Sequence, residues 1–322
     1  MSRSTLHGAP AVDLFCGLGG GSIGARQAGL NIVLSAEIDE NVARMYGANI
    51  PSLMVLSQDV RTLSPIKAEP SSLLIAGPPC QGHSSLNNHT RGNDPRNALY
   101  EWTIGWGIAS GFDHMIIENV PNIVHSKNSP VDTAVQKLEQ EGYSTWLRKM
   151  KATEVGVPQN RTRLFLVASK TATLGAIERI EPPTVAEALA DCDDLTGVPR
   201  VSKANQARLD WLHAAPGRMR VSQASGLLPP SHQHAGRTHT DAYGRMDPNG
   251  YAPTLTTNHY SLGAGRFGHP TEPRMLSFRE AARLQGIPDW YTFKGAKAMT
   301  VRKAIGNAIP PAMIREIIRS MK

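Results

Sequence analysis

The stretch Ala76-Gly77-Pro78-Pro79-Cys80-Gln81-Gly82-His83-Ser84 brings a thiol to a stiff turn. Before it, Leu73-Leu74-Ile75-Ala76 has the length and apolar character of a buried strand. Gly77-Pro78-Pro79 stops that strand, because proline cannot donate to a central ladder. Cys80 is therefore expected where a strand's carboxyl end meets a loop, the place where open α/β sheets hold their ligands. A thiolate there would be a nucleophile. A buried structural cysteine after a rigid turn accounts for the same residues, so the neighbouring chemistry has to decide.

Three more side chains belong to that chemistry. Glu118 closes an apolar strand predicted over Asp113 to Ile117, where a carboxyl is placed to act as an acid, and Asn119-Val120-Pro121 follow it. Arg161 and Arg163 stand two apart at the start of a strand predicted to end at Ala168, so both are expected on one face. Positive charge near a cysteine favours its thiolate.

A second group of residues describes a cofactor cradle. Ala11-Val12-Asp13-Leu14-Phe15 reads as a first strand and runs into the glycine-rich turn Cys16 to Gly24, with a helix beginning near Ser22. Strand, glycine turn and helix bring backbone N–H groups close to a ligand, a pattern that nucleotides and other adenosine cofactors share. The second strand, Asn31 to Ala36, ends in Glu37-Ile38-Asp39, where a carboxylate can accept from a ribose diol. Asp39 reads equally as a helix cap. A third strand, Leu53 to Leu56, leads to Asp59 and Val60, with Asp59 either an acceptor for an adenine amine or a turn aspartate. The first turn lacks the Gly-x-Gly-x-x-Gly order of a dinucleotide site. Acceptors for hydroxyls and an amine, with an acidic rim for a sulfonium cation, suit S-adenosylmethionine.

These elements predict an α/β chain with a mostly parallel, Rossmann-like sheet. Further helices are expected over Ala98 to Ala109 and Val131 to Glu141, and Thr145 to Lys149 should pair with the strand from Arg163. The polar stretch Gly82 to Asn97 exceeds the usual loop length and has the composition of a lid or binding loop, or of solvated loop. From about Lys170 to Glu272 the chain loses clear periodicity and carries six of its eleven histidines, which reads as a second, smaller, loop-rich domain. His232, His234 and His239 have no Cys or carboxylate at ligand spacing, so no metal is expected. Order returns at Ser277, whose spacing to Glu280 is a capping box, and Gly286 ends that helix.

Composition bounds the setting. The 322 residues suffice for one or two domains. Three widely spaced cysteines argue for a reducing compartment. No apolar run is long enough to span a bilayer, and the first ten residues lack a signal-peptide pattern. A net charge of +7 and a pI near 9.4 favour a polyanionic partner.

Taken together, the motifs resemble those of the cytosine-C5 DNA methyltransferases, bacterial type, over roughly 10–170 and 270–320. Asp13-Leu14-Phe15 with the glycine turn is similar to the family's first cofactor motif. Pro79-Cys80-Gln81 is similar to its nucleophile motif, and Glu118-Asn119-Val120 to its acid motif. Gln159-x-Arg161-x-Arg163 is similar to the motif that contacts the target base. Gly306-Asn307 with Pro310-Pro311 is similar to the closing motif. His83 departs from the family's usual Phe, and Gly21 stands where a bulky residue is common.

The resemblance implies methyl transfer from S-adenosylmethionine to C5 of a flipped-out cytosine in duplex DNA, through a Cys80 adduct at C6. It implies catalytic roles for Cys80, Glu118, Asn119, Arg161 and Arg163. It implies cofactor contacts from Asp13, Phe15, Gly17, Gly19, Gly20, Glu37, Ile38, Asp59, Val60, Pro79, Asn307 and Ile309. Contacts to DNA would come from Ser84, Ser85, Arg96, Arg237, Thr254 and Arg266, with Arg245 a further candidate. Residues 1–170, completed by 290–322, would form the catalytic domain, 171–272 the target-recognition domain, and 273–289 a bracing helix. The expected setting is a monomer at the bacterial nucleoid in the cytoplasm, with a cognate restriction endonuclease as a candidate companion. The same chemistry on transfer RNA, and a silent DNA-binding regulator of this fold, are the alternatives.

Overall fold

The structure, a computed structural model, describes residues 6–79, 98–125, 129–221, 226–229 and 242–322. The chain divides into two compact units. One comprises Met1–Val155, Thr162–Ile180 and Ala308–Lys322, and the other Gly156–Arg161 and Glu181–Asn307.

The first unit is built on β1 (Pro10–Leu14), α1 (Gly20–Gln27), β2 (Asn31–Glu37), α2 (Glu40–Asn49), β3 (Met54–Ser57), β4 (Leu73–Ala76), α3 (Ala98–Ser110), β5 (His114–Asn119), α4 (Pro130–Gln140) and β6 (Ser144–Lys151). After β7 (Gln159–Asn160), which belongs to the other unit, β8 (Thr162–Ser169) returns to it. The seven strands order as β3-β2-β1-β4-β5-β8-β6. Strands β1 to β5 run parallel, and β8 lies antiparallel to both β5 and β6. This is the mixed, mostly parallel sheet the sequence predicts.

Hydrophobic patterning explains the order. Every residue of β4 is buried, as a central parallel strand covered on both faces requires. Leu74 and Ala76 share one cluster with Val12, Leu14, Ile117, Leu166, Ile104, Trp106 and Leu138, so α3 and α4 cover that face. Asp39 caps α2 by accepting from the Asn41 and Val42 N–H groups, which settles the alternative left open for it. Glu118 lies inside β5 rather than beyond its end, because Glu118 and Asn119 continue the ladder opposite Phe165 and Leu164.

The second unit contains α5 (Val185–Leu189), α6 (Lys203–His213) and β9 (Ala252–Pro253), which pairs in parallel with β7. It also holds α7 (Phe278–Leu284) and α8 (Ala298–Asn307). The helix α9 (Pro311–Ser320) belongs to the first unit. The division falls near residues 180 and 307, whereas the sequence suggests 170 and 290. The sequence from Ala304 suggests the opening of one last helix ending near Met321, whereas α8 ends at Asn307 and α9 begins at Pro311. Gly306 explains why α8 sits in the second unit: a side chain there would come within 2.4 Å of the Thr256 carbonyl oxygen.

Ser277 caps α7 with the capping box expected of it, its Oγ accepting from the Glu280 N–H while the Glu280 carboxylate accepts from the Ser277 N–H. Glu280 is buried and also receives Arg274 at 2.7 and 2.8 Å and His269 Nε2 at 3.2 Å. Burial pushes its pKa up more than any other single effect. The hydrogen bonds from Arg274, His269 and the Ser277 N–H outweigh that and bring it down to about 2 from 4.5. The depressed value means that Glu280 contributes stability above pH 4.5, and loses it as pH falls towards 2. Glu280→Gln is expected to cost about 3 kcal/mol at pH 7, since it unpairs a buried charge. Urea unfolding of both proteins should show that difference shrinking progressively below pH 4.5.

Candidate active site

Three adjacent parallel strands end together. Leu14 pairs with Ala76 and Ala76 with Ile117. The glycine turn, the Gly77-Pro78-Pro79 segment and the Glu118-Asn119 end of β5 therefore lie at one edge of the sheet. Asn119 strengthens this, donating from Nδ2 to the Pro78 carbonyl at 3.3 Å while its Oδ1 accepts from the Val120 N–H at 2.8 Å. A side chain at Gly77 would approach Ile309 Cδ1 to 3.3 Å and Glu118 Oε2 to 3.5 Å. Cys80, Ser84, Ser85 and Arg96, like Arg237 and the three histidines between 232 and 239, lie outside the described residues.

Glu118 does not stand alone at its strand end. Arg163 Nε meets its Oε1 at 2.7 Å, and both side chains are largely withdrawn from solvent. The arrangement follows from pairing. Glu118 lies opposite Phe165, and Arg163, two residues from Phe165, shares its face and is the diagonal neighbour. Arg161 does not join this pair. It precedes β8, belongs to the second unit, and its buried Nη1 donates to the Leu255 carbonyl at 3.1 Å. The shared face expected for the two arginines fails because the extended strand begins only at Thr162.

In the glycine turn, Phe15 adopts φ 58°, followed by Gly17 at 53° and Gly19 at 82°. A left-handed Phe is strained, and such strain collects at ligand sites. Gly20 is required by close approach: a Cβ there would lie 1.9 Å from the Ile309 carbonyl oxygen. At Gly21 a Cβ would meet Asp13 Oδ2 and Ile75 Cγ2, each at 2.9 Å. The small residue where the family commonly has a bulky one thus accommodates a buried carboxylate.

That carboxylate faces inward. Asp13 Oδ2 accepts from the Ser22 N–H at 2.8 Å and Ser22 Oγ at 2.6 Å. Ser22 Oγ in turn lies 2.7 Å from Tyr46 Oη, which lies 2.6 Å from Ser35 Oγ. Burial pushes Asp13 up to about 7 despite the Ser22 bonds, and the charge of Glu37 adds to the rise. Asp13 thus anchors the start of α1 to β1. Ser22, Ser35 and Tyr46 escaped the sequence reading, because nothing in their spacing ties three hydroxyls to one aspartate.

Glu37 is the outward acceptor. Its Oε2 takes the Gly17 N–H at 3.1 Å and its Oε1 the Asp39 N–H at 2.9 Å. A carboxylate has about four acceptor sites, so lone pairs remain for a ligand's hydroxyls. Ile38 beside it is 68% exposed, an apolar surface at the strand tip. Asp59 accepts from the Arg61 guanidinium and backbone N–H, which lowers its pKa and gives it the turn role left open for it. Val60 is buried in the core, and Pro79 and Ile309 are half-buried. Asn307 is exposed and belongs to the second unit.

The described cysteines are poor nucleophiles. Burial, then Asp13 and Glu37, push the Cys16 thiol well above its ordinary value, and burial also raises Cys192. Thr254 donates to the Asn160 carbonyl at 2.6 Å. Arg266 is half-buried with its stem against Gly244. Arg245, the further candidate for a DNA contact, is instead buried and donates to the carbonyls of Arg218 and Pro270. Among the described residues no cluster of three metal-ligating side chains occurs, and no helix is long and apolar enough to cross a membrane.

The geometry predicts opposite outcomes for two glycines. Gly20→Ala should destabilise by about 1–3 kcal/mol, because overpacking against main chain cannot relax cheaply. Gly47→Ala, within α2 and meeting only Val55 Cγ2 at 4.0 Å, should stabilise by roughly 0.5–1 kcal/mol. Thermal unfolding of both variants measures the difference.

Known proteins are similar to this chain in sequence and fold. A family model described as C-5 cytosine-specific DNA methylase matches residues 10–322. The type II methyltransferase M1.BsuMI of Bacillus subtilis is 31% identical, over 92% of this chain and 77% of its own. The type II methylase M.HgiDII of Herpetosiphon aurantiacus is 29% identical, over 97% and 94%. Among solved structures, a prophage-encoded protein of E. coli described as a DNA modification methyltransferase has TM-score 0.69 at 27% identity, covering 97% of this chain and 98% of its own. The Dnmt2 methyltransferase of S. pombe, with TM-score 0.68 and 16% identity over 97% of each chain, shares the fold alone.

Proposed function

The chain belongs to the C-5 cytosine-specific DNA methylases, and from that premise we propose that it methylates a flipped-out cytosine in a specific duplex sequence through a covalent Cys80 adduct. The observation that carries the proposal is the Glu118–Arg163 pair at the sheet edge from which Pro78 and Pro79 lead to Cys80. The raised thiols of Cys16 and Cys192 leave Cys80 as the candidate nucleophile.

Cytosine C5 is a weak nucleophile while the ring is aromatic. Cys80 thiolate adds to C6, breaking the aromatic system and placing an electron pair at C5. The charge that develops on N3 and O2 is met by Glu118, through a proton shared with N3, and by Arg163 at O2. The C5 pair takes a methyl group, the C5 proton leaves to a base, and the electrons of that bond expel the thiolate from C6. Asn119 steadies the main chain ahead of Cys80 through Pro78. Because C6 is hidden in stacked DNA, the base must first leave the helix.

The residues fit S-adenosylmethionine. Glu37 keeps acceptor capacity for a ribose, Ile38 offers an apolar surface for an adenine, and the acidic groups at β1 and β2 suit a cation. When bound, that cofactor supplies the electrophilic methyl group. Gly17, Gly19 and Gly20 would let main chain approach it, with Phe15 and Ile309 flanking and Pro79 nearby. Duplex DNA as partner agrees with the net charge of +7. Thr254 and Arg266 are carried as DNA contacts in the second unit, which we assign to target recognition. A monomer, with a cognate restriction endonuclease as companion, completes the reading.

Incubation with methyl-labelled cofactor and mixed genomic duplexes should place label at cytosine C5. Cys80→Ser should abolish transfer, and only the wild-type protein should form a denaturation-resistant adduct on 5-fluorocytosine DNA. Arg163→Met should lower kcat by roughly a hundredfold, the scale of losing one preorganised charge at the reacting group. Methylation of Cys80→Ser at the normal rate would refute the mechanism.

A further inference from the structure

We infer that Gln159 and Arg161 are positioning residues for sequence reading, which together clamp the Leu255 peptide and thereby fix the Thr254-Leu255 segment. The inference rests on the DNA-methylating reading above and assigns these residues a role away from the reacting base.

The geometry lies wholly within the second unit. Gln159 is 0% exposed and Arg161 2%. Gln159 Oε1 accepts from the Leu255 N–H at 3.0 Å, and Arg161 Nη1 donates to the Leu255 carbonyl at 3.1 Å. Both main-chain polar groups of Leu255 are thus satisfied by two side chains two residues apart, one on β7 and one just after it. Gln159 Nε2 donates onward to the Leu284 carbonyl at 2.9 Å and to Gln285 Oε1 at 2.7 Å, which ties the clamp to the end of α7.

Backbone chemistry explains why side chains take this task. Strand β9 pairs with β7 only through Ala252 and Pro253. Pro253 has no N–H to give a ladder, so the strand pairing ends there. Thr254 then donates to the Asn160 carbonyl, and the Gln159 and Arg161 side chains hold Leu255 where the ladder does not. At the next residue, the Thr256 carbonyl accepts the His259 N–H at 3.1 Å and lies 2.8 Å from its Nδ1, with Gly306 packed against it. Three successive residues are pinned by different partners. Base edges are read by groups held to within about 0.5 Å, and here the side chains that hold Leu255 are themselves buried.

The test measures discrimination apart from rate. The preferred site is found by bisulfite sequencing of a random duplex pool. It is then compared with duplexes carrying one changed base pair outside the target cytosine. In Gln159→Leu and Arg161→Met the preference should fall roughly tenfold, about one base pair's worth, and by more than the rate at saturating duplex falls. Arg161→Lys, which keeps one donor, should recover most of it. Hydrogen exchange of the Leu255 amide should be slow in the wild-type protein and faster in Gln159→Leu.

Rate loss at saturating duplex with discrimination intact in Arg161→Met would make that guanidinium a group on the base, and would overturn the inference. So would wild-type discrimination in both variants. Rapid exchange of the wild-type Leu255 amide would overturn it even if the variants fail to fold. A wild-type protein that methylates no duplex sinks the parent reading instead, and the proposed reading role with it.

Discussion

Leu14, Ala76 and Ile117 lie side by side on parallel strands, and that register is the constraint on which the candidate site depends. Four buried residues of β4 hold it. Each fully buried aliphatic side chain contributes about 1.5–3 kcal/mol relative to exposure, and a slip of one residue would turn the strand's side chains to the opposite face. The loops that follow the three strands inherit their positions from this packing. A glycine turn, a diproline leading to a cysteine, and a glutamate-asparagine pair are thereby delivered to one edge by residues that do no chemistry themselves.

Strand β8 adds what a purely parallel sheet could not. Running antiparallel to β5, it brings its own amino end to the carboxyl end of β5. Arg163, at the start of β8, therefore meets Glu118 near the end of β5. A parallel neighbour would have delivered its carboxyl end instead. The chain crosses from the second unit to the first between Arg161 and Thr162, so adjacent arginines in a short motif serve different units. Spacing of two residues implied a common face, and the implication held only for residues already in the strand.

Local signals made much of this legible. The apolar run at Leu73, the cap at Asp39 and the capping box at Ser277 declare themselves through neighbours within four residues, and their elements lie where the sequence puts them. Tertiary partners were not legible. Asp13 read as a ligand acceptor because its bond to Ser22 and the chain through Tyr46 to Ser35 span separations of 9 to 24 residues. Asp59 offered two readings that differ only in whether Arg61 folds back on it. Arg245 read as a base reader because its partners, carbonyls 25 and 27 residues away, carry no sequence signature. The tail from Ala304 reads as the opening of one last helix, whereas two helices meet there, and the close approach of Thr256 that requires Gly306 has no sequence signature.

Charge is distributed along the sheet edge in a way that separates two incompatible demands. A cationic methyl donor favours acidic surroundings, and Glu37 offers an outward carboxylate at the end of β2. Burial, and then the charges of Asp13 and Glu37, raise the thiol of Cys16, and the same surroundings would suppress any nucleophilic cysteine placed there. A thiolate needs the opposite field. Strand β4 stands between β1 and β5, so the chain that leads to Cys80 departs with acidic residues on one side and the Arg163 guanidinium, held by Glu118, on the other. One sheet thus keeps the acidic groups of β1 and β2 apart from the Glu118–Arg163 pair of β5 and β8, and the segment that leads to Cys80 leaves from β4 between them.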